Sequence, residues 1–315
     1  MKREIRMNLN TKIAVGIVLF NPDMQRFFEC IQSALNQIEK IYIFDNSTDK
    51  VSWKYPNNIT YLTENKNLGI AYALNAIMRK ASADGYEWVI TMDQDSILPD
   101  GIVKAYSAVI EKNKDIGIVC PQVIDNRRAY LEIKKEPSTE YVDFCITSAS
   151  CTSIKAWKQI DGFDEWLFID LVDNEFCKRL ILSGYKILRL NGFVLNQEFG
   201  QIKPKSKKKQ EFWIKLSKIF HNQNIAKFSY TKYVSPVRVY YTNRNIIYVN
   251  RKLKKYGPVG YRDNYNCRNY FGFLISFCLP SLLRAQDKKK VFLAIFKGIA
   301  DGQRAKVEPW IIGEK

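Results

Sequence analysis

Apolar and polar positions alternate in blocks along the first two thirds of the chain. IAVGIVLF (13–20) is a continuous apolar run of strand length, and the Asn21-Pro22-Asp23 turn that follows leads into a helical spacing from about Met24 to Asn36. KIYIFDNS (40–47), NITYLTE (58–64) and YEWVITMD (86–93) repeat the strand signature, with a helix-period stretch from about Ile70 to Lys80 before the last of them. Short β-branched and aromatic runs alternating with helices are how parallel βαβ units read. A helix from about Asp100 to Lys112, a strand at IGIVCP (116–121), less regular strand-like segments to about Ile146, a helix near 171–183 and a strand at YKILRL (185–190) continue the pattern. Beyond KPKSKKK (203–209) the spacing turns helical, with aromatic and basic bias, over 211–222, 236–253, 265–284 and 287–300. The expected architecture is α/β, a mostly parallel sheet flanked by helices over residues 1–200, followed by a basic helical extension over 201–315.

Polar residues collect where these strands end: Asn21, Asp45, Asn46, Asn65, Asn67, Asp93 and Asp95. In open α/β sheets ligands bind at that edge. TMDQDS (91–96) sets two carboxylates two residues apart after an apolar stretch, and alternation along an extended chain sends Asp93 and Asp95 to one side. Such neighbours repel, so a cation or charged ligand accounts for them better than packing does. Hard divalent cations take oxygen ligands of this kind, although Asp100 and Ser96 near a helix start allow a capping role instead. Asp45 and Asn46, in FDNST, suit either a turn or acceptance from a nucleobase N–H. Gly69, in ENKNLGIAYALN (64–75), permits close backbone approach at a helix start. The acids of GFDEWLFIDLVDNEFCKRL (162–180) lie among Phe163, Trp166, Leu167, Phe168 and Ile169. They fit a carboxylate general base near apolar walls or, more plainly, acids favoured at a helix N-terminus.

Charge narrows the picture. The net charge is +17, yet residues 1–200 hold 24 Lys+Arg against 26 Asp+Glu while residues 201–315 hold 25 against 6. A basic block of that kind is drawn to an anionic membrane face or to nucleic acid. Seven cysteines (30, 120, 145, 151, 177, 267, 278) without a C-x-x-C pair fit a reducing compartment. The single histidine, His221, removes most of the parts for zinc or Ser-His-Asp chemistry, leaving carboxylates to act. Met1–Asn10 is polar, and Ile13–Phe20 is too short for a signal peptide or membrane span. A cytoplasmic location, peripheral at the inner face of the membrane, is expected. NYFGFLISFCLPSLL (269–283), flanked by Arg262, Arg268, Arg284 and Lys288–Lys290, suits a helix lying in the headgroup layer.

The ordered set FNP (20–22), FDNS (44–47), NKNLGIAYALN (65–75), MDQDS (92–96), GFDE (162–165) and FIDLVDNEFCKR (168–179) resembles family 2 glycosyltransferases of the GT-A fold. Within them it is similar to bacterial rhamnosyltransferases, whose R-x-Y-Y-x-x-R-N stretch is matched by RVYYTNRN (238–245). The resemblance implies an inverting transfer of L-rhamnose from dTDP-rhamnose to a hydroxyl of a lipid-linked glycan in surface polysaccharide synthesis. A UDP-hexose donor is the alternative within the class; a nucleic-acid-binding protein or a catalytically silent scaffold lies outside it, and nucleic acid is not the expected partner.

Carried over by position, the resemblance implies donor contacts from Phe20, Asn21, Asp45, Asn46, Asn67, Gly69, Asp93, Gln94, Arg238 and Arg244. Asp93 and Asp95 would hold Mg²⁺ or Mn²⁺, Asp173 would deprotonate the acceptor, and Trp166, Asp170 and Glu175 would bind it. Two positions depart from the pattern. Gln197, in NQEFG, stands where a third metal ligand, a histidine, is expected, and TSAS (147–150) has Ala149 in place of a glycine.

Overall fold

The computed structural model describes residues 11–49, 53–198 and 200–313; Met1–Asn10 lies outside them. The chain forms two units, one of Met1–Gln122, Lys135–Phe163 and Leu180–Leu195, the other of Val123–Lys134, Asp164–Arg179 and Asn196–Lys315. The division is therefore not one cut near residue 200, because two short segments, 123–134 and 164–179, belong with the C-terminal part.

In the first unit the elements follow in the order β1 (Ile13–Leu19), α1 (Met24–Leu35), β2 (Ile41–Asp45), β3 (Ile59–Thr63), α2 (Ile70–Ala83), β4 (Trp88–Asp93), α3 (Ile102–Ile110), β5 (Ile116–Ile124), β6 (Thr139–Val142), β7 (Ser150–Ser153), α4 (Ile154–Gln159) and, after the segment 164–179, β8 (Lys186–Asn196). They build one sheet of order β3-β2-β1-β4-β7-β5-β8-β6. β3, β2, β1 and β4 run parallel, and β1 is buried along its whole length, as its continuous apolar run requires. The sheet then changes character. β7 inserts antiparallel between β4 and β5, and β6 pairs antiparallel with β8. β7 is written Ser-Cys-Thr-Ser and is buried at every position, so its place at the centre is set by its neighbours and not by apolar pattern.

Helix α1 starts on Asp23, whose carboxylate accepts from the N–H groups of Gln25 and Arg26 at 3.0 and 3.1 Å. Helix α2 lies directly on β1: a Cβ added to Gly16 would come within 2.5 Å of Ile77 Cγ2. That contact fixes α2 against the strand whose carboxyl end begins the candidate site.

In the second unit follow α5 (Val172–Leu182), β9 (Ile202–Pro204), α6 (Lys207–Ile219), α7 (Gln223–Ala226), β10 (Tyr230–Lys232), α8 (Pro236–Lys252), α9 (Tyr261–Tyr265), α10 (Tyr270–Phe273), α11 (Leu279–Arg284) and α12 (Lys288–Arg304). The last residues of α5 count with the first unit. The basic run KPKSKKK ends β9, which pairs antiparallel with β10, and opens α6. Helix α12 packs backbone to backbone on α8: a Cβ at Gly298 would fall 2.5 Å from Tyr240 O, and one at Gly302 2.6 Å from Arg244 O. Two glycines four residues apart give α12 the small face that this approach needs. The helix expected over 265–284 is divided into α10, a π-turn at Leu274–Cys278 and α11, whose second residue is Pro280. Proline supplies no N–H for the i−4 ladder, and the wider turn before it absorbs the mismatch.

Candidate active site

Register in the sheet brings the polar strand ends of the first unit side by side. Leu19 lies opposite Asp45, Val18 opposite Asp93, and Asp45 opposite Thr63. Phe20 and Asn21, Asp45 to Ser47, and Asp93 to Asp95 therefore emerge at one carboxyl edge. Asp45 is buried and accepts from Ser47 N–H at 2.8 Å and from the Tyr61 hydroxyl at 2.7 Å. Burial and then the Asp45 carboxylate push the Tyr61 hydroxyl far above its ordinary range, so it remains a donor to that carboxylate. The Tyr61 ring stacks on Tyr55, with centroids 4.8 Å apart, beside the acid.

Several residues expected at the donor are used in building this edge. The Asn46 amide accepts from Leu68 N–H at 3.1 Å and donates to Gly69 O at 3.0 Å, and Asn67 Oδ1 accepts from Gly69 N–H at 3.0 Å. Gly69 itself, at φ 87°, begins α2 in a conformation that favours glycine. Gln94 pairs with the Phe20 backbone in both directions, accepting at 2.7 Å and donating at 3.2 Å. Asn21, at φ 45°, donates its N–H to Ser47 Oγ at 2.8 Å. The outcome is a rigid rim on which Phe20 stays exposed.

Asp93 and Asp95 are half-buried on either side of Gln94. Burial, then Asp93 and Asp95, raise the nearby Cys30 thiol to about 12. Ser148 Oγ accepts from Asp93 N–H at 3.3 Å and lies 2.9 Å from Ser96 Oγ, tying TSAS to DQDS. Ala149, at the position where the resemblance expects glycine, is fully buried with φ 59° and its carbonyl accepts from the Tyr106 hydroxyl at 2.7 Å. This left-handed conformation is one that glycine takes without strain.

Carboxylates at a strand end are the hard oxygen donors a divalent cation takes. Among the described residues no group of three His, Cys, Asp or Glu side chains converges on a metal position. Gln197, in the second unit, is buried, with its backbone N–H bonded to Ile124 O at 2.9 Å.

The second unit carries the acids of FIDLVDNE. Asp170 and Leu171 stand consecutively at positive φ, 68° and 64°, immediately before α5. Such a pair persists only where its surroundings hold it. Asn245 Nδ2, on α8, donates to the carbonyls of Ile169 and Asp170 at 2.8 and 2.9 Å. The Asp170 carboxylate accepts from Arg238 and, at 3.4 Å, from the Thr242 hydroxyl. Gly260 leaves room for Leu171, whose Cδ2 would be 2.6 Å from an added Cβ. Asp173 follows in the first turn of α5, half-buried.

Trp166 stacks on Tyr248, with centroids 3.9 Å apart, and carries the Arg244 guanidinium 3.9 Å above its ring. Arg244 also donates to Trp166 O at 2.8 Å. Glu175 is corrected by its surroundings: it is completely buried and both carboxylate oxygens accept from Arg179 at 2.6 Å, one of them also from Lys252 at 2.7 Å. With its lone pairs so engaged it holds α5 to α8 and offers no face to an acceptor.

Sequence reasoning missed the residues that pin these motifs. Asn75, within NKNLGIAYALN, is buried and bonds Phe163 N–H, Phe163 O and the Trp157 indole N–H at 2.9, 2.8 and 2.9 Å, fixing the start of GFDE. Asn245 and Thr242 belong to RVYYTNRN, and a polar residue on the buried face of a helical spacing was the available signal.

Residues 15–159 match the profile described as Glycosyl transferase family 2. A dTDP-rhamnosyl transferase, RfbF, of Shigella flexneri is 27% identical over 194 residues, an alignment covering 56% of this chain and 65% of that relative, just under two thirds of its length. Among solved structures, S. aureus TarS residues 1–349 in complex with UDP-GlcNAc superposes with a TM-score of 0.53 at 15% identity, over 93% of this chain and 90% of that one. GalNAc-T7 with UDP, GalNAc and Mn²⁺ gives 0.51 at 12% identity, over 86% and 57%. Residues 15–159 thus form a family 2 glycosyltransferase domain, in a chain that has the GT-A fold and resembles the rhamnosyltransferases.

Proposed function

We propose that this chain is an inverting glycosyltransferase that moves L-rhamnose from dTDP-rhamnose to a hydroxyl of a lipid-linked glycan during surface polysaccharide synthesis. The observation that carries the reading is the single rim of Asn21, Asp45, Asp93 and Asp95, formed by three adjacent parallel strands in a family 2 domain. Asp45 recognises the base, with the Tyr55–Tyr61 stack beside it. Asp93 and Asp95 would hold Mg²⁺ or Mn²⁺, which would supply positive charge to offset the negative charge developing on the departing diphosphate. Asp173 takes the acceptor hydroxyl proton; a bond forms from that oxygen to the sugar's anomeric carbon as the bond to the diphosphate breaks, and the nucleoside diphosphate leaves with the electron pair. Asp170, held by Arg238, and Trp166 border the acceptor, and Arg244 and Arg238 assist the leaving group.

A panel of nucleotide sugars, with released nucleotide measured, tests this reading. Release from dTDP-rhamnose well above all others is expected. Preference for a UDP-hexose would replace the donor, whereas no release from any donor together with tight DNA retention would replace the class.

Peripheral membrane attachment belongs to the same proposal. Among the described residues no helix is long and apolar enough to cross a membrane. Phe271, Ile275, Leu279 and Leu283, each four residues on from the last, are nevertheless exposed along α10 to α11, as are Phe292 and Phe296 on α12. Lysines and arginines flank them, the combination that seats a helix in an anionic headgroup layer. Ile275→Asp with Leu279→Asp is expected to abolish co-flotation with anionic liposomes while leaving donor hydrolysis intact. Flotation equal to the parent's would reject this face as the anchor.

A further inference from the structure

From Lys203 to Phe220, across the end of β9 and the whole of α6, the chain carries seven lysines and one acid, Glu211. The inner side of α6 is fixed by contacts within the second unit. The Trp213 ring centroid lies 5.2 Å from that of Phe228. Ser217 Oγ donates to Asn222 O at 3.0 Å, Ser217 O accepts from Asn222 N–H at 3.1 Å, and Gln210 Nε2 donates to Lys205 O at 2.7 Å. With that side committed, the opposite side faces outward, and there Phe212, Ile219 and Phe220 are 58%, 61% and 64% exposed.

The helical period puts Phe212 and Ile219, seven residues apart, on one line, with half-buried Leu216 between them and Phe220 directly after the last turn. The same period sets Lys208 and Lys215 along one border of that line and Lys209 along the other, all three exposed. A helix turned only toward water carries charged residues outermost and apolar ones beneath. Here the outermost residues are apolar and lysines fringe them. That is the order found at a lipid surface, where lysine stems run along apolar chains and their ammoniums reach the headgroups.

Charge selects among the occupants such a face could have. A second copy of this chain would bring the same lysines to the contact, and like charges oppose that pairing. Nucleic acid would engage the lysines, but an isoleucine offers its bases no ring to stack on. An anionic bilayer uses both parts, its headgroups taking the ammoniums and its acyl boundary the apolar side chains.

We infer that α6 is a lipid-docking helix, which lies in the headgroup layer of an anionic membrane with Phe212, Ile219 and Phe220 inserted and Lys208, Lys209 and Lys215 on the lipid phosphates. Phe228 joins it to α11, since the Arg284 guanidinium lies 5.1 Å from the ring on which Trp213 packs. The inference needs nothing of the transferase reading, and α6 is a contact separate from the α10–α11 face. One such element holds a protein weakly and reversibly, so stable attachment draws on both.

Sedimentation of the full chain with vesicles of phosphatidylcholine and phosphatidylglycerol in equal parts, and with phosphatidylcholine alone, tests it. Phe212→Ser with Ile219→Ser is expected to weaken partitioning onto the mixed vesicles at least about tenfold, since two large apolar side chains are withdrawn from the acyl boundary. Both positions are exposed, so this variant should melt at the parent's temperature. Lys208→Gln with Lys209→Gln and Lys215→Gln should also lose at least about tenfold on the mixed vesicles. Most of the parent's salt sensitivity should go with it, while partitioning onto phosphatidylcholine alone stays unchanged. Partitioning at the parent's level in both variants overturns the inference. So does a dimer of the parent that the serine variant dissociates without change in vesicle binding, which gives the face to a second copy. DNA retention in place of vesicle binding, lost in the glutamine variant, overturns it as well. Loss in both α6 variants beside parent-level flotation of Ile275→Asp with Leu279→Asp keeps α6 and removes the α10–α11 face.

Discussion

Asp173→Asn is expected to bind the nucleotide sugar as tightly as the parent and to lose between about 10² and 10⁴ in turnover, the range in which positioned proton transfer contributes. The carboxamide copies the shape of the carboxylate and its capacity to accept one hydrogen bond, but it does not take a proton. The substitution therefore removes basicity with little change in packing at a half-buried first-turn position. The backbone before it is held independently of Asp173: Asn245 binds the carbonyls of Ile169 and Asp170, and Arg238 with Thr242 binds the Asp170 side chain. Asp170→Asn is the informative comparison, since it weakens a bond to Arg238 and should raise KM for the acceptor more than it lowers kcat. Measured kcat for Asp173→Asn at the parent's level would remove this residue as base. A loss confined to donor affinity would assign it to binding.

The sequence made the parallel half of the fold legible because its strands are buried on both faces. Continuous apolar runs at β1, β2 and β4, each ending in polar residues, gave both the elements and the rim where Asp45, Asp93 and Asp95 stand. β7 escaped for the converse reason, being a central strand made of serine, cysteine and threonine, whose burial comes from strands distant in sequence. The same limit applies to Glu175. An acid one turn into a helix reads as a ligand or a dipole partner, and only the return of Lys252 some 77 residues later reveals it as the centre of an ion cluster. RVYYTNRN was recognised as a string, yet its physical meaning is tertiary: Arg238, Thr242 and Asn245 hold the left-handed pair at Asp170 and Leu171, and Arg244 caps Trp166. Asn46, Asn67 and Gln94 show a related confusion, because residues that build a rim and residues that use it share a composition. Ala149, which stands where a glycine is expected, holds a left-handed backbone that its letter alone does not announce.

Glu175→Ala is expected to cost about 3–5 kcal/mol of stability, the penalty for removing one partner from a buried ion cluster. Arg179 is 2% exposed and bonds both Glu175 oxygens, while Lys252 divides its ammonium between Glu175 at 2.7 Å and Asp164 at 2.6 Å. Alanine leaves the guanidinium in protein without its carboxylate, and the loss comes from that uncompensated charge more than from missing attraction. Glu175→Ala with Arg179→Met should consequently recover part of the stability, whereas additive losses in denaturant melts would contradict the account. Acid provides a second check. Burial raises the Glu175 pKa, but Arg179 and Lys252 outweigh it and hold the group below the ordinary glutamate value. A carboxylate depressed in the folded state contributes stability that is present above its unfolded pKa and lost as pH falls through the lower folded value. The parent's advantage over Glu175→Ala should therefore be full above about pH 5 and shrink on acidification below the usual glutamate pKa. Since α5 carries Asp173 two residues before Glu175, loosening this cluster also disturbs the proposed base, and part of any activity lost in Glu175→Ala should return at lower temperature. An Asp173→Asn enzyme should regain nothing on cooling, which would separate the proposed base from the residue that keeps it in place.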